Sequence, residues 1–331
     1  MIISRTPFRI SFFGGGTDYK PWFQEHGGAV LATTIDKYCY ISVRMLPPFF
    51  EHRYRIVYSV VEKVRRIAEI KHPSVRAVLQ CRNIDNGLEI HHDGDLPARS
   101  GLGSSSSFTV GLINALRALD GSLISKEELA KQAIYIEQEV IKEPVGSQDQ
   151  ISAAFGGFNR ISFKQDGSFD VMPIILEKEK VSFLQQHLML FFTGISRYAT
   201  DIAKTKIKNL KRRKQELQCM YGMVDKALEI LRNPGVSTVE FGKLLHESWM
   251  LKRRLSNLVS NSQIDDMYET ARRSGAVGGK LLGAGGGGFL LLFVEPPNQA
   301  RVKEALRRLI HVPFQFENSG SRIVLYQPNG L

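Results

Sequence analysis

Cysteine and tryptophan are both scarce in this sequence, and its 33 acidic residues are outnumbered by 44 lysines and arginines. The three cysteines, Cys39, Cys81 and Cys219, are odd in number and widely separated. They make neither a disulfide framework nor a paired zinc-ligand pattern, and they suit a reducing compartment. Long apolar runs are missing as well: residues 289–294 have the length of a buried strand, well below the roughly 20 residues of a membrane span. The opening Met-Ile-Ile-Ser-Arg-Thr-Pro puts charge and proline where a secretory leader needs an apolar stretch. A cytoplasmic protein without membrane association is therefore expected. There is no Walker A loop, because Gly279-Lys280 is followed by Leu281 instead of serine or threonine. Gly283, Gly285 and Gly288 have dinucleotide spacing, but they follow no clear strand and lead into a strand where that fingerprint needs a helix.

What remains is ample for a folded globular core. A chain of 331 residues has room for two modest domains. A lysine- and glutamate-rich connection near residues 175–185 is the expected boundary, dividing 1–180 from 181–331. The formal charge of +11 is concentrated in residues 204–214, where seven of eleven positions are basic. A solvated helix face is the ordinary reading of such a run. Without interleaved aromatic residues a nucleic-acid partner is not expected, whereas a site for a nucleotide and an anionic substrate uses the same charge.

Residues 2–3, 8–13 and 29–43 are rich in β-formers, broken by Gly14-Gly15-Gly16. Residues 60–70 and 74–80 have helical apolar spacing, and 88–92 reads as a strand. Pro97-Ala98-Arg99-Ser100-Gly101-Leu102-Gly103-Ser104-Ser105-Ser106-Ser107 then runs into a helix with Phe108, Leu112, Leu116 and Leu119 on one face. Such a loop suits phosphate. Glycines let backbone N–H groups approach anionic oxygens, the helix N-terminus adds unpaired donors, and serine hydroxyls can hydrogen-bond or ligate Mg²⁺. Ser125 and Glu128 form a capping box opening a second helix that ends before Pro144. Helices are expected near 199–232, 239–256, 264–273 and 299–309, with strands at 188–192, 289–294, near Phe314 and at 323–326.

Three segments, in order and spread over nearly the whole chain, resemble the GHMP kinases, the superfamily of galactokinase, homoserine kinase, mevalonate kinase and phosphomevalonate kinase. They are Thr6-Pro7-Phe8-Arg9-Ile10 through Gly14-Gly15-Gly16-Thr17-Asp18-Tyr19, the serine loop, and Lys280-Leu281-Leu282-Gly283-Ala284-Gly285-Gly286-Gly287-Gly288-Phe289. Val145-Gly146-Ser147-Gln148-Asp149-Gln150 is similar to the galactokinase segment bearing the catalytic aspartate. The resemblance implies an α+β, two-domain fold: an N-terminal α/β domain with a left-handed βαβ unit and a C-terminal ferredoxin-like domain, with ATP and acceptor in the cleft between them. It also implies roles. Asp149 orients or deprotonates the acceptor hydroxyl, with Arg9 beside it. Pro97, Ser100 to Gly103 and Ser104 to Ser106 hold ATP, and Ser105 and Glu137 hold Mg²⁺. Thr17, Asp18, Gly146 and Gln148 face the acceptor, and Gly283, Gly285, Gly286 and Gly287 form a glycine loop beside the cleft. Taken singly, Arg9 and Glu137 read as solvated surface charges, and His91-His92-Asp93 reads as surface histidines pointing to opposite sides of a strand.

Galactokinases carry a glutamate and a histidine just before this Thr-Asp-Tyr, where the chain has Gly15 and Gly16. The Gly-Gly-Gly-Thr-Asp pattern and Phe192-Thr193-Gly194-Ile195-Ser196-Arg197 resemble the bacterial heptose 7-phosphate kinases, which phosphorylate the anomeric hydroxyl. That resemblance implies a sugar phosphate as the small-molecule partner, with Arg197 gripping its distal phosphate. A neutral-sugar 1-kinase, a sugar sensor without turnover and a nucleic-acid-binding protein are the competing readings.

Overall fold

The computed structural model describes residues 1–84, 86–98, 100–195 and 199–328. In chain order the elements are β1 (Ile2–Phe13), α1 (Lys20–His26), β2 (Gly28–Met45), β3 (Tyr54–Val57), β4 (Val61–Val64), α2 (Pro73–Cys81), β5 (Leu88–Gly94), α3 (Ser104–Leu119), α4 (Lys126–Ile134), α5 (Gln148–Phe155), β6 (Phe158–Phe163) and β7 (Phe169–Pro173). They continue with α6 (Lys178–Gln186), β8 (Leu188–Phe192), α7 (Ala199–Asn209), α8 (Lys214–Arg232), α9 (Val239–Arg254), α10 (Ser262–Arg273), β9 (Ala276–Leu281), β10 (Phe289–Val294), α11 (Pro296–Ala305), β11 (Ile310–His311), β12 (Phe316–Glu317) and β13 (Arg322–Tyr326).

The first sheet is built on the long antiparallel pair β1–β2, which runs from Ile2↔Val43 to Phe13↔Leu31. Alternation sorts the side chains: Ile2, Ser4 and Thr6 face inward with Cys39, Ile41 and Val43, while Ile3, Arg5, Tyr38 and Tyr40 are more exposed. Helix α3 lies on this inner face, buried over most of its circumference. Strands β3 and β5 are parallel, joined through β4 and α2. The second sheet has the order β11-β8-β10-β9 with antiparallel neighbours throughout. Together with its helices it is the βαββαβ arrangement of a ferredoxin-like domain.

Four expectations change. The end of the chain returns to the first sheet, where β13 pairs β1 (Ile2↔Tyr326) and β12 pairs β2 (Phe316↔Ile35). Residues 181–331 are therefore not one separate unit. The two halves also share a core, since Phe12 and Phe13 stand edge-on to Phe241 of α9 at 5.4 and 5.0 Å. Residues 60–70 are not helical: β4 forms a hairpin with β3 and a short 3₁₀ turn follows at Ile67–Glu69. The burial there has period two, with Glu62 buried between exposed Val61 and Lys63, and short apolar runs do not separate that period from a helical one. The helix expected over 199–232 is broken by a 3₁₀ turn at Leu210–Arg213, and a strand, β9, does precede the glycine cluster.

Candidate active site

Arg9 lies in the middle of β1 and Asp149 in the first turn of α5, where the acidic side chain also complements the helix dipole. They meet as a bidentate pair, Arg9 Nε donating to Asp149 Oδ1 and Nη2 to Oδ2, both at 2.8 Å. The third arm of the guanidinium donates to the Gly101 carbonyl at 2.8 Å, and the Arg9 backbone N–H to the Leu102 carbonyl at 3.0 Å. Arg9 is buried, while the Asp149 side chain keeps 25% of its surface exposed. The arginine is fixed and the carboxylate faces open space. Gly103, in the left-handed region at φ 76°, caps α3 directly over the pair, and a Cβ there would sit 3.5 Å from the Asp149 carboxyl carbon. The first N–H groups of α3 are thus delivered beside the aspartate.

Within the loop the predicted residues divide. Leu102 is buried in the core and anchors the loop, and Pro97 is exposed. Ser100 is buried with an unpartnered hydroxyl, and its carbonyl accepts from Phe289 N–H at 3.2 Å. Ser105 is exposed; it is Ser106, one residue on, that donates to Glu137 Oε2 at 2.8 Å. Of the pair expected at Ser105 and Glu137, the structure thus bonds Glu137 to the neighbouring Ser106, with Ser105 one position before it in the same turn of α3.

Glu137 is no solvated helix charge. It belongs to a π-helical turn, Tyr135–Val140, in which Ile141 N–H reaches back to Ile136 O; such turns recur at functional sites. Its side chain is fully buried, bound through Oε2 by Ser106 and by Gln150 Nε2, while Oε1 has no partner. Burial pushes its pKa up to about 7, against the hydrogen bonds from Ser106 and Gln150 that favour the charged form. A buried carboxylate oxygen without a partner calls for a proton or a cation. No group of three His, Cys, Asp or Glu side chains clusters among the described residues. One carboxylate and one hydroxyl nevertheless fit Mg²⁺, which takes the rest of its oxygens from water and phosphate.

On the other side of Asp149, Asp18 is buried, accepting from Gly16 N–H at 2.9 Å, and burial raises its pKa. A Cβ at Gly146 would fall 1.9 Å from its carboxylate, so only glycine lets that segment close over Asp18. Thr17 turns away from any acceptor: it is buried, and its hydroxyl donates to the Gly14 and Ala29 carbonyls. Gly16 is also structural, because a Cβ there would point at Leu217 and Leu255. At Gly15 a Cβ would fit without clash, 3.8 Å from both the unpartnered Ser11 hydroxyl and Gln148 Nε2, and the Gln148 Oε1 is buried without a partner. Tyr19 was missed by the sequence reading. Its phenol is within electrostatic reach of Asp18, Asp149 and Arg9, and its ring lines a crevice with Gly16 and Arg213. Arg197 lies outside the described residues.

The glycine loop holds the phosphate loop backbone to backbone. A Cβ at Gly283 would fall 2.4 Å from the Gly101 Cα. Gly285 and Gly287 press on the backbones of Val259 and Ile195, and Gly286 N–H donates to Val259 O at 2.8 Å. These glycines serve loop-on-loop packing.

Comparison with known proteins agrees with this geometry. The family descriptions "GHMP kinases N terminal domain" and "GHMP kinases C terminal" match residues 56–157 and 237–311. The D-glycero-alpha-D-manno-heptose 7-phosphate kinase of Campylobacter jejuni is 31% identical over 319 residues, 93% of each chain. A mevalonate kinase of Pyrococcus horikoshii is 28% identical over 78% of this chain and 72% of its own length. Among solved structures, a D-glycero-D-manno-heptose 1-phosphate kinase from Bacteriodes thetaiotaomicron superposes with a TM-score of 0.80 at 23% identity, covering 99% of this chain and all of that one. With that coverage and identity, the chain belongs to the GHMP kinase family and is a phosphotransferase.

Proposed function

We propose that this protein transfers the γ-phosphate of ATP to the anomeric hydroxyl of a sugar already carrying a distal phosphate, with D-glycero-D-manno-heptose 7-phosphate as the leading candidate. The Arg9–Asp149 pair, held under the N-terminus of α3, is the observation that carries the reading. ATP phosphates would lie on the N–H groups of residues 101–106, and the acceptor between Gly15, Gln148 and Asp18. The acceptor oxygen bonds to the γ-phosphorus as the bond to the bridging oxygen breaks, and ADP leaves. Asp149 orients the hydroxyl or takes its proton, while Arg9 balances the charge on the aspartate and the moving phosphoryl group. Mg²⁺, held by Ser106 and Glu137, would neutralise charge on the phosphate oxygens.

The choice of sugar is supported by the Campylobacter relative, whose name specifies a heptose 7-phosphate. Gly15 leaves room where a side chain would stand. A panel of aldose and aldose-phosphate acceptors, read by ATP-dependent product formation, tests the proposal. Turnover of heptose 7-phosphate far above every other acceptor is expected, and a preference for neutral hexoses would replace it with a hexose 1-kinase.

A further inference from the structure

Two buried lysines that the reaction does not consume stand between the acceptor loop and the phosphate loop. Lys280, in β9 of the second sheet, is 2% exposed, and its ammonium donates to the Phe12 carbonyl of β1 at 2.6 Å. Phe12 is the residue at which the β1–β2 register shifts: Ser11 pairs Ala32, Phe13 pairs Leu31, and Phe12 has no partner across the ladder. Such a bulge frees a main-chain group from the ladder and bends the strand, here just before Gly14 and the acceptor loop. Lys252, in the last turn of α9, is 5% exposed and donates to the Leu281 and Gly283 carbonyls, both at 2.7 Å. Gly283 in turn lies against Gly101, whose carbonyl holds Arg9.

Residues 280–283 therefore touch both halves of the reaction centre. Their first side chain grips the strand leading to the acceptor loop, and their last backbone unit presses on the loop for the donor phosphates. Burying an ammonium is costly unless its hydrogen bonds are made, so each lysine holds its carbonyls to a narrow geometry. A hydrophobic side chain of similar length would fill the space without fixing the distance.

We propose that Lys280 and Lys252 form a clamp that sets the spacing between acceptor and donor, acting as positioning residues through the Phe12 and Gly283 carbonyls. The inference rests on the phosphotransfer reading of the site and holds for any acceptor sugar. Alignment in phosphoryl transfer is steep: a displacement of about 1 Å costs on the order of 100-fold in rate.

The test is steady-state kinetics on Lys280→Met and Lys252→Met, with Lys280→Gln and Lys252→Gln as partners that retain a neutral NH₂ donor, using the best acceptor of the panel. For each Met variant kcat should fall roughly 30- to 100-fold while KM for ATP and for the acceptor stay within about three-fold. The Gln variants should recover a large part of the lost kcat, which a purely space-filling role would not produce. Near-UV circular dichroism and thermal unfolding establish that each variant is folded. Folded Met variants with kcat within two-fold of wild type would overturn the clamp, as would Gln variants no better than Met. If neither variant of a lysine folds, that lysine serves the fold and not the spacing, and the proposal fails there. If the wild-type protein phosphorylates no acceptor in the panel, the functional reading fails instead, a result the wild type alone reports.

Discussion

Replacing Asp149 by asparagine keeps the size of the side chain and removes its charge. In the structure both carboxylate oxygens accept from Arg9 at 2.8 Å. An asparagine can accept only one of those bonds, and its NH₂ group would face the other guanidinium donor. Arg9 is buried, so losing its counter-charge carries a penalty; removing one partner of a fully buried pair costs about 3–5 kcal/mol. Two features reduce that here. The Asp149 side chain is 25% exposed, and Arg9 keeps its bond to the Gly101 carbonyl. A loss of about 2 kcal/mol follows, lowering the unfolding midpoint by roughly 3 °C. Against a typical stability of about 10 kcal/mol, nearly every molecule stays folded at 25 °C. The effect on turnover should be much larger, a fall in kcat of roughly 100-fold or more, as for a positioned acid, base or orienting group. KM for ATP should change little, because the backbone N–H groups at the start of α3, proposed to hold ATP, are untouched. The assay is ADP release coupled to a chromogenic enzyme, with thermal unfolding run on the same preparations. A folded Asp149→Asn protein whose kcat stays within a few-fold of wild type would refute the placement of Asp149 at the reacting centre.

Two further outcomes follow from the buried polar groups. Ser106→Ala and Glu137→Gln should each raise the Mg²⁺ concentration for half-maximal activity by about ten-fold, whereas Ser105→Ala should leave it near the wild-type value; a larger effect at Ser105 would return the metal to the loop surface. The ring of His72 stacks on Phe108 and caps α2 by accepting from Val75 N–H, and burial lowers its pKa to about 4 from an ordinary 6.5. The unfolded chain binds more protons between those values, so this contribution is complete above pH 6.5 and is lost as the pH falls to 4. It amounts to at most about 3 kcal/mol, and His72→Asn should flatten the urea midpoint between pH 7 and 5, an unchanged slope being the contrary result.

The parts of this account that were legible in the sequence are those with a local cause. Glycines 101 and 103 ahead of an amphipathic run announce the phosphate loop and α3, and the Ser125 cap is formed as its spacing predicts, the hydroxyl accepting from Glu128 N–H at 3.1 Å. Arg9, Asp149 and Glu137 came through the family resemblance, and only the fold shows why: strand, π turn and helix converge from positions 9, 137 and 149. Which of the four serines bonds Glu137 depends on the packing of α3. The spacing from Phe108 favours Ser104 and Ser105 as inward-facing, yet the helix is buried on a second face through Thr109, Val110 and Ile113, and that face carries Ser106. The π turn leaves no mark in composition. The return of β12 and β13 to the first sheet joins residues more than 280 positions apart, as in Phe316↔Ile35, and no short-range pattern encodes such a pairing.

The most direct test is an acceptor comparison on the wild-type protein: kcat/KM for D-glycero-D-manno-heptose 7-phosphate against the same heptose without its phosphate, at fixed ATP and Mg²⁺. The account predicts a preference of at least 100-fold for the phosphorylated sugar, with the product phosphorylated at both ends and one ADP formed per product. Equal kcat/KM for the two sugars would contradict the assignment of an anionic acceptor, and a product phosphorylated away from the anomeric oxygen would contradict the assigned position.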